Sequence, residues 1–121
     1  MKTTAKHFQL FKAEVRKWLK VFGLTDWEVT VIHGIDNDTD GANCSGDIMS
    51  RQATIRLAID FTEKGPIIDE DIKLAAFHEV CELLLQPLCL LAESRFGVLQ
   101  ESLESERHAV IMRLQHAFRK D

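Results

Sequence analysis

The chain has 121 residues, enough for one domain with a single modest core and too few for two. Apolar residues make up 45% and charged residues 28%, as in soluble globular proteins, and neither a run of 18 apolar residues nor a charged-then-apolar leader suggests a membrane span or signal peptide. A net charge of −4 excludes general nucleic-acid binding, which needs a basic surface.

The first expected element is an amphipathic helix. Phe8, Phe11, Val15, Trp18, Leu19 and Phe22 recur at three- and four-residue steps, and Gly23 is a natural C-terminal stop. Its opposite face is basic. Lys2, Lys6, Lys12, Arg16, Lys17 and Lys20 face one acid, Glu14, in the first twenty residues, with Lys12, Arg16 and Lys20 spaced as one stripe. Such a stripe is a solvated outer face or a docking surface for an acidic protein partner.

Trp27-Glu28-Val29-Thr30-Val31 alternates and is β-branched, which predicts a strand. Gly34 to Asp47 is polar and reads as a loop. Within it Asp36-x-Asp38-x-Asp40-Gly41, with Asp47 beyond, nearly fits a calcium-loop pattern. A strand rather than a helix precedes it, and Asp replaces the bidentate Glu, so a solvated strand connection is the expectation. Ala53, Ile55, Leu57, Ile59 and Phe61 then alternate with polar or small residues as the best strand, and Gly65-Pro66 breaks it. The three cysteines, Cys44, Cys81 and Cys89, are odd in number and lack Cys-x-x-Cys spacing, which argues for a reducing, cytoplasmic setting.

Asp69 is a fair N-cap for a helix whose first turn holds Glu70 and Asp71, and Pro87 marks its end or a kink. Inside it, nine of the twelve residues from Leu74 to Leu85 are apolar, so the helix is expected to be buried. Yet it carries His78, Glu79 and Glu82. At about 100° per residue these lie near 0°, 100° and 40°, in one sector. Burying two carboxylates and an imidazole without partners costs several kcal/mol, roughly 2–7 for each polar group, and a divalent cation would remove that penalty. Cys81 beside them is expected to be a small core residue rather than a nucleophile.

After Gly97 a last helix is expected from about Leu99 to Phe118. Helices before and after the strands make this an α+β domain with a small, mostly antiparallel sheet spanning 1–121 as a single unit. A catalytic zinc takes three protein ligands, so His78 and Glu82 need a third. With Glu106 set to zero, Leu99, Leu103, Val110, Leu114 and Ala117 fall within about 80°, placing Glu106 in the apolar stripe. His108, about 200° away, is expected to face solvent. Ordinary alternatives exist for each residue: a satisfied core histidine for His78, an intrahelical pair for Glu82, and Arg56 or Arg113 as partner for Glu106.

His78-Glu79-Val80-Cys81-Glu82 resembles the His-Glu-x-x-His helix of zincins, with Glu in the second His position. Glu106-Arg107-His108-Ala109 resembles the glutamate-donating helix of the small gluzincins of phages and bacteria. The resemblance implies a zinc-dependent peptidase, with His78, Glu82 and Glu106 as metal ligands, Glu79 as general base, and a peptide or protein substrate along the sheet edge. One histidine and two carboxylates would accept Mn2+ or Fe2+ as well as Zn2+. The alternative expectation is a non-catalytic binding or regulatory protein of phage or mobile-element origin that keeps the same fold.

Overall fold

The computed structural model of the chain describes residues 2–34, 41–61, 65–96 and 100–119, without the side chains of 93–96, 100 and 102. The elements are α1 (Ala5–Val21), β1 (Glu28–His33), β2 (Ala42–Asp47), β3 (Gln52–Leu57), α2 (Asp69–Phe96) and α3 (Gln100–Phe118). This is the expected α+β arrangement. The calcium-like run at 36–40 lies outside the described residues.

α1 begins where the chain can satisfy its free amides. Thr4 Oγ1 accepts from the His7 amide at 3.2 Å, while His7 Nδ1 accepts from the Thr4 amide at 3.0 Å. At its other end Gly23 takes φ +70°, and the Leu24 amide returns to the Leu19 carbonyl at 2.9 Å. Phe11, Val15, Trp18 and Leu19 are the buried face, as the spacing predicts.

The sheet order is β1-β3-β2, with β1–β3 parallel and β2–β3 antiparallel. The expected polar loop therefore ends in a strand, since Ala42–Asp47 pairs with β3 residue for residue. Register puts Val29, Val31 and His33 of β1 beside Ala53, Ile55 and Leu57 of β3, and those beside Gly46, Cys44 and Ala42 of β2. Ala53, Ile55 and Leu57 are buried. The β2 residues on this face are small, which lets α2 come close. A Cβ on Gly46 would stand 3.1 Å from Gln86 Oε1 and 3.2 Å from the Trp27 ring. Between β2 and β3, Arg51 takes the uncommon φ of 57° while its amide bonds the Asp47 carbonyl at 2.8 Å.

α2 starts one residue after its cap. The Ile68 amide donates to Asp71 Oδ2 at 3.1 Å and the Asp71 amide to the Ile68 carbonyl at 3.0 Å, so Asp71 rather than Asp69 supplies the capping carboxylate. The helix also runs through Pro87, which removes a donor to Leu83 without ending it. Its first half lies in the core: Ile72, Ala76, Phe77, Val80, Cys81 and Leu83 are buried with Ile55 and Leu57 of β3, Phe11 of α1 and Ile111 of α3. Its second half exposes Leu88 by 67% and Leu91 by 63%. From Asp69 to Ala92 it is long and apolar enough to cross a membrane by length and composition, and core packing accounts for the apolarity of the first half.

Candidate functional site

α2 carries a stripe of polar residues along one side. At about 100° per residue, Asp71, Ala75, His78 and Glu82 lie within about 60° of one another. They line a cleft of about 520 Å³ with Glu79 of the same helix. Ala42, Asn43 and Cys44 of β2 form one wall, and His108 and Gln115 of α3 form another. The volume suits a small ligand or a few residues of peptide.

His78 Nε2 and Glu82 Oε2 are 2.9 Å apart. This bond raises the His78 pKa above its ordinary 6.5, against the effect of burial, and the charges of Glu79 and Glu82 act in the same direction. The same bond lowers the pKa of Glu82, aided by the charges of His78, Arg107 and His108. At mildly acidic pH the pair is therefore imidazolium and carboxylate. Glu79, one step round the helix, is buried.

Cys44 lines the cleft from the β2 wall. Burial pushes its thiol up to about 12, and the neighbouring Glu79 and Glu82 charges add to that. Burial likewise raises Cys81 to about 12, as expected of a core residue.

α3 corrects the expected ligand set. Glu106 is 72% exposed, pairs with Arg113 at 4.0 Å, and is not among the residues that line the cleft with His78 and Glu82. Its pairing with Arg113 was one of the ordinary alternatives, as was the His78–Glu82 pair. The side chain that enters the cleft is His108, whose ring centroid lies 5.7 Å from that of His78. The physical reason is which apolar residues set the helix phase. Ile111 is buried, and Phe118 packs its ring against Trp18 and Phe22, both at 5.8 Å. Val110 is only half-buried and Ala117 is exposed. Weighting Ile111 and Phe118 by their bulk turns the inward face by about 90° and brings His108 to the cleft side. That signal was present in the sequence. The β2 wall carried none, because Ala42-Asn43-Cys44-Ser45-Gly46-Asp47 lacks both β-branched residues and alternation.

No family model, no curated protein and no solved structure matches the chain. Among the described residues, no three His, Cys, Asp or Glu side chains stand together as a group that could hold a metal ion. These findings overturn the resemblance to the small zincin peptidases. What the chain carries is a His-Glu-x-x-Glu helix without the ready-made three-donor set which that resemblance implies.

Proposed function

We propose that the protein is a metal-dependent hydrolase acting on peptide bonds, with Glu79 as general base. One arrangement carries the reading: His78 and Glu82 share a hydrogen bond in a cleft that also holds the buried Glu79. The two donor atoms, 2.9 Å apart in this hydrogen bond, would part to about 3.3–3.6 Å on one tetrahedral ion at bond lengths of about 2.0–2.2 Å. A dication at this pair would supply positive charge that polarises a substrate carbonyl and acidifies an adjacent water. The remaining work belongs to the chain. Glu79 takes the water's proton and passes it to the leaving amine. His78 and Glu82 stay aligned because they stand one turn apart on a helix whose other faces are locked in the core.

The substrate class follows from the cleft's wall. β2 is an edge strand, and its residues Ala42 to Cys44 border the cleft. An extended peptide can add to such an edge through main-chain hydrogen bonds, which places a scissile carbonyl beside α2. Further along, the Gly46 carbonyl already accepts from Gln86 Nε2 at 3.0 Å, so a peptide would pair nearer the Ala42 end.

The test is Glu79→Gln, nearly isosteric, assayed on peptides and unfolded protein with zinc or manganese present. Catalysis should fall by about 100- to 10,000-fold while circular dichroism and cation affinity hold. Full activity in this variant removes Glu79 as the base. Wild-type protein with no hydrolytic activity, and a variant with unchanged cellular phenotype, would favour the non-catalytic binding reading instead.

A further inference from the structure

We propose that the outer face of α1 is a docking surface for a short acidic segment of a partner protein. At about 100° per residue, Lys6, Lys12, Arg16, Lys17 and Lys20 fall within an arc of about 140°, and all five are exposed. From Lys6 to Lys20 this face is about 21 Å long, at about 1.5 Å per residue. The one acid on the helix, Glu14, lies about 60° outside the arc. Its side chain is only 13% exposed and is engaged by Arg119 of α3 at 3.7 Å as well as by Lys17 at 4.0 Å. Among the described residues, Lys6, Lys12 and Lys20 make no ion pair. The charge of the face is therefore left uncompensated by the fold.

The rest of the molecule decides which polyanion fits. The first twenty residues hold six cations and one acid, whereas the remaining 101 hold nine cations and eighteen acids. A long polyanion, such as a nucleic-acid duplex or an anionic bilayer, would run past α1 onto that acidic remainder and be repelled. A short acidic segment ends within the strip. Nor can α1 insert into a bilayer, because its apolar residues Phe11, Val15, Trp18 and Leu19 are enclosed in the core.

Spacing adds to charge. Lys12, Arg16 and Lys20 recur every four residues, about 6 Å along the helix. Alternate side chains of an extended chain recur at about 6.6–6.8 Å, so acids at every second position can meet the three cations in turn. Arg16 is already oriented, since its Nη1 donates to the Val29 carbonyl of β1 at 3.2 Å. That bond uses one of the guanidinium's five N–H donors and leaves the others for a carboxylate. No residue of α1 lines the cleft, so a docked segment leaves the cleft open. The inference accordingly stands apart from the hydrolase reading and is tested without catalysis.

The experiment is fluorescence anisotropy with a labelled peptide of alternating Glu and Ser, long enough to span the face. A Gln-Ser peptide, a thymidine oligonucleotide and phosphatidylserine vesicles are titrated beside it. At about 0.1 M salt the Debye length is about 10 Å, so only neighbouring charges count. The wild type should bind the Glu-Ser peptide, more tightly as salt is lowered, and should not bind the Gln-Ser peptide. Lys12→Glu should weaken binding by about tenfold or more, because it turns an attraction into a repulsion. Arg113→Glu makes the same change of charge at a 72% exposed position on α3 and should stay within about twofold of wild type. Both positions are exposed, so both variants should fold, and circular dichroism checks this. No binding at low salt, equal affinity in wild type and Lys12→Glu, or an equal loss in Arg113→Glu overturns the inference. So does equal binding of the Gln-Ser peptide. Tighter binding of the oligonucleotide or the vesicles overturns the choice of a protein partner and gives the face to that polyanion.

Discussion

α2 and α3 flank the same cleft and present opposite problems. In α2, eight of the twelve side chains from Ile72 to Leu83 are apolar and the helix is packed on several sides, so the polar residues are the exceptions that announce the site. In α3 polar residues are everywhere, Ile111 alone is deeply buried among the described residues, and the cleft-lining His108 is one polar side chain among many. A buried helix reveals its function by its polar residues. A surface helix reveals it only once its few heavy apolar contacts are found.

The largest expected effect lies on the α2 side of this contrast. Phe77 is fully buried, with its ring 4.7 Å from Trp18 and 5.9 Å from Phe22. Phe77→Ala should cost about 3–5 kcal/mol in urea unfolding. A loss under about 1 kcal/mol would mean the core does not close around α2. On α3 the matching experiment compares neighbours. Ile111→Ala should cost about 2–4 kcal/mol and Val110→Ala clearly less, because only Ile111 is fully enclosed. The reverse order would restore the helix phase that puts Glu106 inward.

A smaller effect comes from the polar pair itself, in protein kept metal-free with chelator. His78 has a raised pKa, so its contribution is complete below its ordinary 6.5 and fades as pH rises through the folded value. Glu82 has a lowered pKa, so its contribution is complete above its ordinary 4.5 and fades as pH falls through the folded value. The pair thus stabilises most between pH 4.5 and 6.5. With side chains 29% and 26% exposed, it should be worth no more than about 1 kcal/mol, a few degrees in Tm. Thermal melts across pH should show Glu82→Gln losing this dependence on both sides of the window. Parallel profiles for the two proteins would show that the pair contributes nothing.

The smallest change should come from Glu106→Ala, within about 0.5 kcal/mol of wild type, because a 72% exposed carboxylate 4.0 Å from Arg113 is screened by water. A melting shift of many degrees would mean that Glu106 has a buried role after all.

Much of the fold was legible in the residues. α1 followed from its three-and-four spacing and Gly23, the central strand from Ala53, Ile55 and Leu57, and the site helix from its nearly unbroken apolar run. Three features were not. β2 is a strand because β3 pairs with it and because its small residues fit under α2, a tertiary reason with no local signature. Pro87 signals an end or a kink, and α2 runs through it to Phe96. The phase of α3 is set by Ile111 and Phe118, which outweigh the more numerous smaller apolar residues. His78, Glu79 and Glu82 share one sector because a single helix fixes their angles, and all three line the cleft. The wall that faces them comes from α3 across a tertiary contact, where angles within one helix give no guidance.

That division has a consequence for how the cleft comes into being. His78 and Glu82 sit one turn apart, so their pair can form as soon as α2 forms, on the sub-microsecond to microsecond scale of helix growth. The wall that carries His108 is encoded twenty-six residues later. At about 5–20 residues per second on the ribosome, the codon for His108 is read about 1 to 5 s after that for Glu82. The cleft is therefore a late event in the life of each molecule, and a stalled or incomplete chain carries the first half of the site without the second.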